Sequence, residues 1–411
     1  MLDPDTTRQR DLRSGKGPWL AGPPRPKSEP LERDTSCDVA IVGAGITGAL
    51  LAEHLTARGL DVVVIDRETE GYGSTAASTA MLQWEIDLSM TRLSGLYGFE
   101  KAASVYRRSF NAVAGLRALA DEHALHGLLI PRDTIYLAAG EIGPDELAEE
   151  ARLRERAGLP GQLLDHAALV RHFGFDRAAA IVSPGSAEAD PLSLCHALLG
   201  KAAVRGARFI RDEAQDYACD SKRAAVTLRG GATVEARDLV LATGYVMPDF
   251  ITTDLHRVAS SFAIATEPQK AGILWPGKDL VWEASQDYIY CRTTTDGRIV
   301  FGGEDVDYSD PEKRDAVTAQ KREALRRKLE ALIPKADATL SHSWSGAFGQ
   351  TSDGLPLIGR VPGMDRLLAA YGYGGNGITF SYLASRLLGE LIAGEERPWF
   401  RDFALDRPDP S

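Results

Sequence analysis

The sequence predicts an α/β fold: a Rossmann-type strand–turn–helix–strand start followed by alternating strands and helices, and a later part of different, strand-rich texture. Three observations predict it. Residues 37–66 run strand, glycine turn, helix, strand; short apolar strands and helical stretches then alternate as far as residue 242; and from 258 to 303 the texture changes to strand-like runs carrying Phe262, Ile264, Tyr288, Tyr290 and Val300.

In chain order, the first 36 residues are charged and broken by Pro18, Pro23, Pro24, Pro26 and Pro30, so they read as an irregular arm with Trp19 as its anchor on the body. Residues 37–42 form a strand, 43–48 a glycine turn, 49–57 a helix and 60–66 a second buried strand. Residues 100–126 and 142–157 carry Ala, Leu, Glu and Arg at helical period, with a strand at 133–138 between them. A helix at 192–204 follows Pro191 and stops at Gly206; short strands near Arg208, Ala225 and Val234 lead to a strand at 239–242. Beyond the strand-rich stretch come a charged helix at 310–332, a glycine cluster and an amphipathic helix at 380–393.

A length of 411 residues suits two to three domains with a large core. Hydrophobic residues at 44% and charged residues at 26% exclude wholesale disorder and fibrous architecture. The net charge of −11 opposes binding to phosphate backbones, so no nucleic-acid partner is expected. Cys37, Cys195, Cys219 and Cys291 are scattered, without a metal-binding or disulfide pattern, and read as reduced thiols; no metal is expected. The N-terminus lacks the apolar core of a secretory signal. The longest uncharged run, 367–385, holds Gly372, Gly374, Gly375, Asn376 and Gly377, too polar and flexible for a membrane span. A cytoplasmic protein without a transmembrane segment is the expectation.

Residues 43–48, Gly-Ala-Gly-Ile-Thr-Gly, fit the G-x-G-x-x-G fingerprint of a Rossmann-type dinucleotide site. Gly43 permits the tight turn, Gly45 lets backbone approach a pyrophosphate, and Gly48 allows close packing of helix on strand, with the helix N-terminus facing the phosphates. Asp66 ends the second strand 23 residues after Gly43, where a carboxylate accepts hydrogen bonds from ribose hydroxyls. Position between a strand and a helix, with the acid in place, separates this from a mere tight turn.

With these residues and three further motifs, the sequence resembles the flavin-dependent D-amino-acid oxidase superfamily, which includes glycine oxidase, sarcosine oxidase and γ-glutamylputrescine oxidase, from about residue 37 to residue 407. The further motifs are Gly-Ser-Thr-Ala-Ala-Ser-Thr-Ala at 73–80, Asp-Leu-Val-Leu-Ala-Thr-Gly at 238–244, and Asp-Gly-Leu-Pro-Leu-Ile-Gly at 353–359 followed by Gly-Gly-Asn-Gly-Ile-Thr at 374–379. The resemblance implies a Rossmann-type FAD-binding domain assembled discontinuously from 37–98, 160–250 and 342–400, with a discontinuous α+β substrate domain, built on an antiparallel sheet, from 99–159 and 251–341. It also implies an FAD site made of Gly43, Ala44, Gly45, Ile46, Thr47, Gly48, Asp66, Arg67, Gly73, Ser74, Thr75, Ala77, Ser78, Thr79, Met81, Ala242, Thr243, Gly244, Gly374, Gly375, Asn376, Gly377, Ile378 and Thr379. No His or Cys stands in a flavin-attachment context, so the FAD is expected to be non-covalent. The glycine cluster opens onto a helix, whose N-terminus suits the negative charge a flavin ring acquires on reduction.

In the resembled proteins the substrate lies between the flavin ring and an antiparallel sheet, which here corresponds to 258–303. Tyr288, Tyr290 and Arg292 alternate and would share one face of a strand, lining the pocket, unless the tyrosines are core and Arg292 a surface charge. Glycine-oxidase-like relatives carry an arginine five residues before the Asp of Thr-x-Asp-Gly to hold the substrate carboxylate; here that position is Phe348. Sarcosine-oxidase-like relatives place arginines after the Gly-Ser segment, where this chain has Met-Leu-Gln-Trp-Glu-Ile-Asp at 81–87. Arg292 is left as the candidate clamp, while Glu85, Asp87, Glu304 and Asp305 favour a cationic amine. The implied activity is hydride removal from the carbon of a C–N bond in a small amine or amino acid, giving an imine that water hydrolyses, with oxygen, a quinone or a protein as electron acceptor. Two alternatives stay open: an FAD-dependent 2-hydroxy-acid or polyol dehydrogenase of the same fold, and an assembly or regulatory protein with non-catalytic FAD.

Overall fold

The computed structural model describes residues 12–19, 22–125, 127–285 and 287–410. Strand Thr35–Val42 pairs in parallel with Val62–Asp66 on one side and with Thr233–Leu241 on the other. The sheet continues in parallel to Arg208–Arg211 beyond the first neighbour and to Met364–Tyr371 beyond the second. Leu357–Val361 closes one edge antiparallel, and a meander of Ala214–Cys219 and Ala224–Leu228 leans on Thr233–Leu241. Strand alternation decides what each face meets. Val39, Ile41, Val62 and Val64 pack in one core with residues of helices Ile46–Ala57, Pro191–Val204 and Gly377–Ile392; Ala40, Val42, Val63 and Ile65 pack in another with Leu239, Leu241 and Tyr245. Both faces are covered, which is why these strands are continuous apolar runs.

The second sheet is antiparallel apart from one parallel pair, Leu280–Glu283 with Leu129–Leu137. Ile264, Ile289, Cys291, Ile299 and Phe301 cluster with Leu325, Leu329 and Leu332 of helix Pro311–Leu332, so that helix covers one face and leaves Tyr290 on the other.

The sheets do not divide where the sequence motifs divide. Met81–Leu82, Gln162–Asp165, Ala179–Ala189 and Leu340–Thr351 all belong to the antiparallel sheet, although the first three, and the last from residue 342 on, fall in segments expected in the FAD-binding domain. Each is held there by a long-range pairing partner, which motif positions do not reveal.

The arm also departs from expectation. Arg13–Gly15 is an edge strand on Trp344–Gly346, the Ala347 amide donates to the Leu12 carbonyl at 2.8 Å, and Glu29 bridges Ile210. An irregular arm would leave the polar edge of Leu340–Thr351 unpaired, and this strand satisfies part of it. Trp19 meets Trp344 edge to face, with ring centres 6.2 Å apart. Residues 1–11, 20 and 21 of the expected arm lie outside the described residues. All four cysteines are free, and among the described residues no helix is long and apolar enough to cross a membrane.

Candidate active site

The parallel strands leave Thr35–Val42 in opposite directions, toward Val62–Asp66 on one side and Thr233–Leu241 on the other. A crevice beyond the strand ends at such a switch point is the general ligand site of open α/β sheets. Here a cavity of about 730 Å³ opens at that place and extends to the antiparallel sheet.

At the strand ends the chain turns at Gly43 with φ +111°, where a Cβ would fall on the Ala242 carbonyl; a Cβ on Gly48 would fall on the Gly43 carbonyl. Only glycine fits either place. Asp66 accepts the Ala44 amide at 2.7 Å and the Glu68 amide at 2.8 Å; burial nevertheless pushes its carboxyl up to about 6. The Thr75 hydroxyl accepts the Ile46 amide at 3.0 Å and so ties the 73–80 segment to the start of helix Ile46–Ala57. A Cβ on Gly45 would meet only Thr75 Oγ1, at 3.1 Å, and one on Gly244 or Gly377 would meet nothing within 4 Å. These glycines leave room where a bulky ligand must approach backbone.

The cavity wall gathers Gly43, Gly45, Ile46, Thr47, Asp66, Arg67, Gly73, Ser74, Thr75, Ala77, Ser78, Thr79, Met81, Ala242, Thr243, Gly244, Gly374, Gly375, Asn376, Gly377 and Ile378 from the four motifs. Ala44, Gly48 and Thr379 are not in the wall. They act from behind it, Ala44 through its amide on Asp66, Gly48 through packing, and Thr379 by donating its hydroxyl to the Gln83 carbonyl at 2.9 Å. An open backbone cradle, a carboxylate at the second strand end and a helix N-terminus across the cavity form a donor set that fits FAD.

Around the glycine cluster, the Gly375 amide donates to Asp87 Oδ2 at 2.7 Å, and Asn376 Nδ2 donates to the Glu85 carbonyl at 2.7 Å. A carboxylate therefore already engages one of the amides expected to face a reduced flavin. The Asp87 side chain has open surface, but this surface faces the cavity, and burial within the protein pushes its carboxyl up to about 6.

The far end of the wall holds Tyr288, Tyr290 and Phe348, together with Ser261, Trp282 and Trp344. Tyr288 donates to Asp305 Oδ2 at 2.7 Å, the Tyr290 and Ser261 hydroxyls are 3.1 Å apart, and Trp282 stacks on Tyr136. Arg292 does not reach the cavity, contrary to expectation. It is 3% exposed beneath Trp19, and its Nη1 donates to the carbonyls of Ala80 and Ala189, both at 2.8 Å. Strand alternation puts it on the face of Tyr290, but two residues further along, where the arm and the adjoining chain cover it. Glu304 is likewise removed, paired with Lys321 and Lys328, and so is the Glu85 carboxylate, which is fully buried against Thr134 and Arg154 and leaves only backbone in the wall. Among the described residues of the wall, Arg67 is the only cation, and it lies next to Asp66.

Sequence reasoning did not find Gln83, Ser261, Trp282 or Trp344. For Gln83 a partial signal exists: in Gln-Trp-Glu-Ile-Asp the polar residues alternate with Trp84 and Ile86, which are fully buried in the core, and Gln83 and Asp87 do reach the wall, although the Glu85 side chain is buried. Trp282 carries no such pattern.

Comparison with known proteins gives the family and the fold. A family model described as FAD dependent oxidoreductase matches residues 38–391. The Bacillus subtilis (strain 168) protein YhfW, named for a Rieske 2Fe-2S iron–sulfur centre, is 25% identical over 395 residues, 95% of this chain and 75% of that protein. The gamma-glutamylputrescine oxidoreductase of Escherichia coli (strain K12) is 25% identical over 373 residues, 89% of this chain and 85% of the relative. The crystal structure of glycine oxidase from Geobacillus kaustophilus shares the fold, with a TM-score of 0.77 at 24% identity over 91% of this chain and 99% of that one. No group of three or more His, Cys, Asp or Glu side chains that could hold a metal occurs among the described residues. The chain belongs to the DAO family of FAD-dependent oxidoreductases and is an FAD-dependent enzyme.

Proposed function

We propose that the enzyme oxidises the C–N bond of a small amine that lacks a carboxylate beside the reacting carbon. One observation carries this reading: the substrate end of the cavity is lined by the Asp87 carboxylate and the aromatic residues Trp282, Tyr288 and Tyr290, and Phe348 stands where a carboxylate-binding arginine was expected. Arg292, the remaining candidate clamp, is committed to backbone carbonyls. A buried substrate carboxylate would meet no cation there, at a cost of several kcal/mol.

When bound, FAD supplies a two-electron acceptor for hydride from the carbon bearing nitrogen, and the resulting imine is hydrolysed by water. The chain's own residues bind, orient and exclude solvent. Asp66 would take the ribose hydroxyls, and the backbone at Gly45, Gly73–Thr75 and Gly244 would take the phosphates and ring. Tyr288 and Tyr290, held by Asp305 and Ser261, would fix the substrate against the ring. No dedicated base is required. The cavity wall holds no Cys or His among the described residues, which supports non-covalent attachment.

Anaerobic bleaching of the yellow protein by a panel of amines, amino acids and hydroxy acids tests this reading. Amines should bleach it fastest; faster reduction by hydroxy acids or by glycine would overturn it. Reoxidation of the bleached protein by oxygen, a quinone or a protein acceptor then identifies the partner. Acid precipitation should leave the flavin in the supernatant.

A further inference from the structure

The Asp87 carboxylate lines the substrate end of the cavity, and the chain holds it there firmly. The backbone is pinned on either side: Asn376 Nδ2 donates to the Glu85 carbonyl at 2.7 Å, and the fully buried Tyr106 donates its hydroxyl to the Leu88 carbonyl at 2.9 Å. The side chain is seated as well. Its Oδ2 accepts the Gly375 amide at 2.7 Å, and the carboxylate fills the space that a Cβ on Gly374 or Gly375 would take, so both glycines make room for it. Its Oδ1 has no hydrogen-bond partner among the described residues. No cation pairs with it among them either. The charge that acts on Asp87 is a second carboxylate, Asp305, which opposes its ionisation. Tyr288 has no proton to offer Asp87, because it donates to Asp305 Oδ2 at 2.7 Å and is left with lone pairs alone on the phenol oxygen. Arg67 lies at the other end of the wall, next to Asp66.

A carboxylate withdrawn from bulk water without a counter-ion is costly unless a ligand supplies the opposite charge. We propose that Asp87 selects the substrate's charge: its unpartnered Oδ1 accepts an N–H from the alkylammonium group of the incoming amine. The inference rests on the amine reading above and names the residue that enforces it. Trp282, Tyr288 and Tyr290 in the same wall offer the aromatic surface that suits such a cation. The pairing is made to the ammonium form and not to the neutral amine that gives up hydride, so it belongs to the ground state and acts on binding.

The test uses the FAD-loaded protein and three probes of one shape: tert-butylammonium, tert-butanol and pivalate. None carries a hydrogen on the carbon that bears the polar group, so none can be oxidised there, and binding is read from perturbation of the flavin's visible spectrum. The wild type should bind tert-butylammonium best and pivalate worst. Asp87→Asn should weaken tert-butylammonium about ten- to hundredfold, the loss of one charge-assisted hydrogen bond, without weakening tert-butanol. For any amine that is turned over, KM should rise by that factor while kcat holds or rises. Should Asp87→Asn fail to load FAD, Asp87→Ser, which is smaller and also uncharged, carries the same expectation. Unchanged tert-butylammonium affinity in the variant, equal weakening of all three probes, or a wild type that binds pivalate as well as tert-butylammonium would each overturn the proposal. Failure of the amine reading looks different: tert-butylammonium binds in an Asp87-dependent way, yet no amine bleaches the flavin.

Discussion

The two ends of the cavity are built from different materials. At the end proposed for the cofactor the wall is largely backbone: glycine turns at the ends of Thr35–Val42 and Thr233–Leu241, amides at the start of Ile46–Ala57, and the Asp66 carboxylate at the end of the neighbouring strand. At the substrate end it is side chains, Asp87 on one side and Ser261, Trp282, Tyr288 and Tyr290 on the other, with Tyr288 held by Asp305, Tyr290 by Ser261 and Asp87 by the Gly375 amide. Backbone recognition needs particular residues at fixed spacing, because only glycine permits the turns and the close approach. Side-chain recognition needs only that some strand bring a suitable group to the right place, and many sequences can do that. The cofactor end is therefore constrained in sequence, and the substrate end is free to specialise.

The sharpest way to break this contrast is Gly45→Val. Its Cβ has room in the fold, meeting only Thr75 Oγ1, but the branched side chain projects into the cavity. Flavin content should fall from near one per chain to almost none, while the unfolding midpoint of flavin-free protein stays within a few degrees of the wild type. A yellow Gly45→Val protein would show that backbone approach is not what binds the cofactor.

Arg292→Met tests the substrate end from behind. The guanidinium joins the carbonyls of Ala80 and Ala189, so it ties the 73–82 segment to strand Ala179–Ala189. Losing hydrogen bonds from a buried charge should cost about 1.5–3 kcal/mol in stability, seen as a lower denaturation midpoint. The ranking of amines against amino acids should not change. A variant that folds normally but loses only acidic substrates would put Arg292 back in the recognition site.

Asp87→Asn separates the ends by pH. Burial, reinforced by the Asp305 charge and opposed by the Gly375 amide, raises the folded carboxyl from an ordinary 3.8 to about 6. The folded state thus holds the proton more tightly than the unfolded state, so the stability this group contributes is complete below about pH 4 and lost as pH rises through about 6. In flavin-free protein, Asp87→Asn should be more stable than the wild type at pH 7.5 and no more stable at pH 4. A residual slope should remain, because Asp66 is raised to about 6 in the same way. Parallel melting curves at both pH values would mean that Asp87 is solvated like a surface acid.

What could be read in advance follows the same division. The parallel sheet, its first helix and the four glycine-bearing motifs follow from apolar runs and fixed spacings, and the wall gathers residues from all four motifs. Strand Ala179–Ala189 was not legible. It contains Pro184 and Gly185, which read as a turn, yet a register shift opposite Arg132 and Thr134 absorbs them and lets Gly185 adopt φ +102° within the strand. Arg292 was misplaced because alternation fixes which face a residue takes but not how far along that face the cavity runs. Glu85 was visible as an acid in the right segment, but that its carboxylate turns from the cavity to Thr134 and Arg154 depends on a strand and a helix about 50 to 70 residues away in sequence, whose positions only the assembled fold determines.

The smallest expected effect concerns the arm, which lies before the start of the family match at residue 38 yet touches the cavity. Leu12 lines the wall, Arg13 donates to the Tyr72 carbonyl at 2.8 Å beside the 73–80 segment, and Trp19 packs on Trp344, with the Arg292 guanidinium 5.1 Å from its ring. Trp19→Ala removes one edge-to-face pair and one cation–ring contact, worth together about 1–2 kcal/mol. Because these contacts hold the arm rather than the flavin, the loss should appear mainly as faster FAD release, by about two- to tenfold on dilution, with little change in the substrate ranking. Stopped dilution monitored by flavin fluorescence measures it. A release rate equal to that of the wild type would mean that the edge strand Arg13–Gly15 alone secures the arm, and that Trp19 only covers Arg292.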